Sequence, residues 1–490
     1  MSRPRTLTPG PSPFPSPPPS QGEGRQEAAS FVGAGLVPAL QPDGDPQIPL
    51  AAPPSSPGEG GREGTGGEGP GRGLLLRWVR ILSAYFTAQT LTQLAGIAAG
   101  LLLVRFMPVR EFALYTLAFS VITFFNFVSD LGSSTSLVYF FHHARKEGGE
   151  FQPYLSAVLS LRRGAFLLGA AGVLAAFPYL AGAKGYGQTE ALLATAGILL
   201  CVWFQIGSSL RLLVLRLDDR YGHSYRAEVA SGLTRLALAA LMVVSAWLQA
   251  WLGVLTSAAA AAVAFSLSRS PDLPEATDAD LRPYRRKVLR YLVPTLPSAL
   301  YFSVQGPLTI WLAATFGGTR NIAEVGALGR LGLLVGIFTS LTGVVFLPRL
   351  ARITDDRLYL RRFLQFGAAL TAMALAMLAA AAAVPGLFLL LLGKHYAGLH
   401  RELLLVVGGA GLALLDGYAV SVNLARSWTR WQGLALGLLI AAQAAFAAFL
   451  PLSTTAGVLS FNLLTAGATL LLQTTMLLIG FARPRWVSWT

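Results

Sequence analysis

The chain has 490 residues, 53% of them hydrophobic and only 13% charged, with 38 Lys and Arg against 24 Asp and Glu and a mean hydropathy of +0.54. Soluble domains carry about a quarter charged residues, so this balance makes lipid the main solvent and the chain an integral membrane protein. A single cysteine, Cys201, and five scattered histidines, His142, His143, His223, His395 and His400, give no disulfide framework and no metal-ligand spacing, so neither a metal nor a cofactor is expected.

Residues 1–73 hold 16 Pro, 15 Gly and seven acidic residues with almost no apolar run. Such a segment cannot bury enough surface to offset its ordering entropy and reads as a disordered tail. From Leu74 onward, hydrophobic stretches fall at 81–104, 112–141, 157–181, 191–215, 228–248 and 250–268, then at 288–316, 321–348, 363–392, 402–424, 431–451 and 456–481. A membrane span needs about 20 apolar residues. The expected fold is therefore all-α and polytopic, with about 12 transmembrane helices, since runs this long and rich in Leu and Ala do not suit barrel strands. Trp247, Gln249, Trp251 and Gly253 mark a tight interfacial turn between the fifth and sixth.

Placing the first helix start in the cytoplasm leaves 25 Lys and Arg at the inner loops and helix ends against six outside. That asymmetry is the positive-inside rule, so both termini are expected in the cytoplasm, and the net charge of +14 needs no nucleic-acid partner. The polar segment 269–287, with Pro271, Pro274, Pro283 and the run Arg285-Arg286-Lys287, reads as a cytoplasmic linker between a bundle at 74–268 and one at 288–490. Six helices in each half allow a pseudo-two-fold along the membrane normal, as in transporters built from parallel repeats.

An ionisable group at mid-membrane costs about 2.5–3.5 kcal/mol on insertion scales, so each asks for a reason. Arg330 in the eighth helix and Asp130 in the second are the deepest. Asp130 shares a face with Thr123, Asn126, Ser133 and Ser134. Gln89, Gln93, Gly96 and Gly100 make a polar line on the first helix, and Tyr301, Gln305 and Thr309 make one on the seventh. Such lines serve either as a cavity wall or as interhelical adhesive. Arg211 and Arg235 sit nearer the inner helix ends, where snorkelling to headgroups competes with a cavity role. Asp416 is buried without an evident partner and is expected to meet an arginine of another helix, while Glu228 and Glu324 read as N-terminal caps. Arginines lining a wet cavity would hold an anion, and guanidinium pairs well with pyrophosphate oxygens. Pro307, and the pair Pro294 and Pro297, should bend the seventh helix.

The run Arg105-Phe-Met-Pro-Val-Arg-Glu-Phe-Ala-Leu-Tyr115, followed by Ser129-Asp-Leu-Gly132 and by Phe346-Leu-Pro-Arg-Leu350, resembles oligosaccharide flippases of the polysaccharide-biosynthesis type. These lie within the superfamily that includes multidrug and toxin extruders. Over about 80–480 the resemblance implies a bacterial inner-membrane flippase that moves a lipid-linked, polyprenyl-pyrophosphate oligosaccharide outward by alternating access. Its cavity would lie among the first, second, seventh and eighth helices, and glycan polymerases or glycosyltransferases would be its working partners. On that reading Arg330, Arg211 and Arg235 contact the pyrophosphate, while Asp130, Asn126, Gln89, Gln93 and Gln305 line or gate the cavity. Many relatives carry an acidic residue in the seventh helix where this chain has Gln305-Gly-Pro307. The alternatives are a cation-coupled multidrug extruder and a membrane-embedded glycan polymerase or ligase. The enzyme reading lacks a long outer loop to hold catalytic groups, and none is expected.

Overall fold

The computed structural model describes residues 70–147, 149–269, 281–341, 356–426 and 428–483, and the side chains of 88–146, 149–269, 281–335, 357–426 and 428–483. Most of the tail and Phe346-Leu-Pro-Arg-Leu350 lie outside them. The described residues form fifteen α-helices. The first half comprises α1 (Pro70–Phe106), α2 (Val109–Asp130), α3 (Ser133–Glu147), α4 (Gln152–Ala183), α5 (Gln188–Leu217), α6 (Tyr221–Val244) and α7 (Ala250–Leu267). Then come α8 (Arg282–Leu292), α9 (Leu296–Phe316), α10 (Thr319–Leu341), α11 (Asp356–Ala383), α12 (Pro385–Leu392), α13 (His400–Ala425), α14 (Gln432–Phe449) and α15 (Thr455–Ala482).

Among the described residues, ten segments are long and apolar enough to cross a membrane, against the twelve expected of the whole chain. Of the two expected spans not among these, 288–316 contains α9, whose 21 residues are enough for a core about 30 Å thick at about 1.5 Å per residue, and 321–348 begins in α10 and lies only partly within the described residues. The α9 sequence is diluted by Gln305 and Pro307, and α10 carries Arg320, Asn321, Glu324 and Arg330. Both are packed among other helices, α9 against α2 and α15, α10 against α1, α2 and α13, so polar groups on them need not meet lipid.

The expected second span is two helices. The chain turns at Leu131 and Gly132, with φ of 40° and 81°, a left-handed pair that ends α2 and suits the glycine. The expected ninth span also divides, because Pro385 forces Val384 out of helical geometry between α11 and α12. The expected linker is partly helical: Arg285-Arg286-Lys287 lies in α8, which runs through a 3-10 turn, Val293–Thr295, into α9. The turn between the fifth and sixth spans is present at 245–249, where Glu111 of α2 caps α7 by accepting from the Ala250 amide at 2.8 Å.

Two expected caps are not caps. Glu228 lies in the third turn of α6 and pairs with Arg216 of α5, and Glu324 accepts from Arg320 and, at 2.6 Å, from the Thr455 hydroxyl of α15. Each carboxylate ties its helix to another, because a buried oxygen is better satisfied by a side-chain donor than by a helix end.

The packing order of the first half recurs in the second. Just as α5 lies against α7 and α4, α13 lies against α15 and α11, and just as α2 meets α5, α10 meets α13. Across the halves α2 lies along both α9 and α10. A β-carbon at Gly326 of α10 would overlap Thr116 of α2, so the two backbones meet closely only because position 326 has no side chain.

Candidate functional site

Tyr115 of α2 is fully buried, and its ring fits because Gly253 of α7 leaves room: a β-carbon there would stand 3.0 Å from Cδ2. From α6, Arg235 Nη2 donates to the Tyr115 hydroxyl at 3.0 Å. From α10, Arg330 sets its guanidinium 5.8 Å from the Tyr115 ring centre and 4.8 Å from that of Phe119, while Arg235 lies 5.1 Å from the Phe119 ring. Ring faces are electron-rich and hold both cations. On its other side Arg330 rests on α1, with Cδ 3.3 Å from where a β-carbon of Gly100 would be.

Arg330 is 8% exposed and Arg235 Nε is buried with no hydrogen-bond partner. Among the described residues neither is ion-paired to a carboxylate. Two cations thus share one aromatic pair at mid-bundle, an arrangement that repels itself and favours an anion.

The structure brings together Arg330 and Arg235 and leaves the other expected residues elsewhere. Snorkelling fails for Arg235, the fifteenth residue of α6, because it turns into the bundle toward Tyr115. Arg211 lies 3.8 Å over the Phe265 ring of α7 and donates to the Phe265 carbonyl at 2.9 Å, which ties α5 to α7. Asn126 donates to Gln205 of α5 and to the Ile122 carbonyl. Gln305 of α9 accepts from Gln443 of α14 at 2.7 Å. Gln89 and Gln93 lie half-buried on α1. The expected arginine partner of Asp416 is absent among the described residues: its Oδ1 is buried without a hydrogen bond, as is the Tyr301 hydroxyl.

Asp130 is held in an ion pair. Its Oδ1 accepts from Arg162 of α4 and from Ser134 Oγ at 2.7 Å, and Arg162 donates further to Ser133 at 2.7 Å and to Ser209 of α5 at 2.9 Å. This network clamps the α2–α3 break onto α4 and α5. Sequence reasoning counted Arg162 among the inner-loop charges; it is 3% exposed. It also missed Tyr115 and Phe119, aromatic residues in an apolar run. The available signal was physical: a deep carboxylate needs a cation, and deep arginines need a ring or an acceptor. A cavity of about 590 Å³ opens between the ends of α3 and α5, lined by Phe141, Arg145, Phe151, Leu217 and Arg220.

No family model matches the sequence, and neither does any curated protein. Solved structures do match. The lipid II flippase MurJ in an inward closed conformation superposes with a TM-score of 0.62 at 13% identity, over 80% of this chain and 87% of that one. The eukaryotic MATE transporter AtDTX14 gives 0.55 at 13% identity, over 82% and 96%, and a MATE transporter of Vibrio cholerae gives 0.50 at 16%, over 81% and 98%. At such identities the likeness is one of architecture: the chain is a multi-pass membrane protein with the MATE-like fold that MurJ shares.

Proposed function

We propose that the protein is a transporter of this fold, a flippase that carries a lipid-linked oligosaccharide across a bacterial cytoplasmic membrane, with Arg330 and Arg235 holding its polyprenyl-pyrophosphate head group. The supporting observation is the pair of inward-turned guanidinium groups on Tyr115 and Phe119, to which no carboxylate among the described residues is ion-paired. A pyrophosphate would relieve their repulsion and take paired hydrogen bonds from each. The sugar would travel in the polar interior while the polyprenyl chain stays in lipid, so the head group avoids hydrocarbon.

Arg330 comes from the second half and Arg235 from the first. Separation of the halves would open the pair to one face, and closure would open it to the other, as alternating access requires. Asp130 serves on this reading as a clamp on the α2–α3 break, and Asn126, Gln89, Gln93 and Gln305 as polar lining or helix ties. Arg211 is a weaker candidate, since its guanidinium is engaged by Phe265.

A glycan polymerase or ligase is disfavoured by the segments on the face opposite α8. Those at 107–108, 184–187, 245–249, 317–318, 393–399 and 450–454 are too short to hold a catalytic set. The cation-coupled extruder draws support from Asp416 Oδ1 and the Tyr301 hydroxyl, oxygens buried without hydrogen-bond partners. Deletion of the gene tests the choice: a flippase defect leaves lipid-linked sugar on the inner leaflet, a polymerase defect leaves it outside, and an extruder defect leaves glycan intact with raised drug sensitivity.

A further inference from the structure

The apolar side of α8 is consumed by packing. Val288 and Leu292 are buried with Leu137 and Phe140 of α3 and Leu155 and Val158 of α4, and Tyr291 stacks on Tyr139 at 5.1 Å. Three of its five basic residues are engaged as well: Arg282 is not free, Arg285 donates to Ser160 at 2.8 Å and Lys287 to the Tyr154 hydroxyl at 3.4 Å. Arg286 and Arg290 remain. Both are exposed, they lie one helical turn apart, and among the described residues neither forms an ion pair with a carboxylate.

On the same side stand Leu289, 46% exposed, and Val293, 62% exposed. A helix face made for water alone would not mix apolar residues with guanidinium groups in this way. A face at the edge of a membrane would, with charges level with phosphates and apolar groups at the acyl boundary. The position agrees, because α8 leads within three residues into α9, a helix of membrane length.

We propose that Arg286 and Arg290 form a binding site for the head group of an anionic phospholipid, whose phosphodiester they straddle while Leu289 and Val293 meet its acyl chains. The site has a structural consequence. Leu292 of α8 and Thr295 pack beside the α2–α3 break, at 3.7 and 3.8 Å from where a β-carbon of Gly132 would stand. A bound lipid would therefore fix the entry to the second half against the hinge of the first.

The test uses the full-length protein in detergent, with phosphatidylglycerol or phosphatidylcholine added and retention read by native mass spectrometry. The wild type should retain phosphatidylglycerol preferentially. The R286Q/R290Q double variant should retain it roughly thirtyfold less, from the attraction of two basic groups, whereas R286K/R290K should keep the preference and R401Q on the opposite face should change nothing. Unchanged phosphatidylglycerol retention in a folded R286Q/R290Q protein would overturn the proposal. So would equal retention of the two lipids by the wild type, a result that depends on no variant.

Discussion

Arg235 and Arg330 arrive from different halves of the chain and approach the same ring, Phe119, at 5.1 and 4.8 Å. Any motion that shifts α10 relative to α2 and α6 changes the distance between these charges. The proposed anion site and the interface between the halves are therefore one piece of structure, and a bound anion would hold that interface in a particular arrangement.

Replacement of Tyr115 by Phe keeps the ring and removes the oxygen that accepts from Arg235. The expected cost is about 1 kcal/mol, one hydrogen bond, read as a lower thermal midpoint in detergent. A protein as stable as the wild type would show that Arg235 does not depend on that hydroxyl.

The ion pair of Asp130 and Arg162 predicts an asymmetry. Arg162 is 3% exposed and Asp130 is 36% exposed at their side chains. Asp130→Ala strands a buried cation and should cost about 3 kcal/mol. Arg162→Ala leaves a carboxylate still bonded to Ser134 and partly open to solvent, and should cost less. Chemical unfolding of the two variants decides the matter, and a costlier Arg162→Ala would reverse the assignment.

Gly326→Val should force α10 away from α2, since its β-carbon overlaps Thr116, at a cost of about 1–3 kcal/mol from overpacking. Gly329→Val, at a position where a β-carbon meets nothing within 4 Å, should be nearly neutral. Equal effects of the two in a thermal melt would mean that the contact at position 326 yields freely.

The helices were legible in the sequence because a 20-residue apolar run leaves the backbone few choices in lipid. Arg330 was legible for the same reason, as a charge too deep to ignore. The break at Leu131 and Gly132 was hidden inside an apolar run that continues across it. The helical part of the linker was hidden by its charge, although Tyr284, Val288, Tyr291 and Leu292 repeat at helical spacing. Arg162 lay in a cluster of loop-side basic residues, and nothing local distinguishes a buried arginine there from a solvated one. Tyr115 and Phe119 were invisible as site residues because aromatic groups in an apolar helix read as core. Their role depends on α6 and α10, which meet them only in three dimensions.

On the face opposite α8 the halves are bridged by Lys184, which donates to the Gly317 carbonyl at 3.0 Å. If this face must open during transport, a covalent tie there should stop it. In a Cys201→Ser background, Lys184→Cys with Gly318→Cys should lose transport on treatment with a short thiol cross-linker and regain it when the linker is cleavable and reduced. Full transport by the cross-linked protein would place the moving gate elsewhere.

The most direct measurement of the central claim is made on Arg330→Gln in two readouts at once: transfer of a fluorescent polyprenyl-pyrophosphate oligosaccharide across reconstituted vesicles, and thermal stability. A guanidinium kept for an anionic cargo is a burden on the empty protein, so the variant should be as stable as the wild type or more so. Its transfer rate should fall about tenfold or more, the loss of a charge-assisted hydrogen bond. A variant that is less stable yet transports at the wild-type rate would show Arg330 to be a packing residue and would contradict the account.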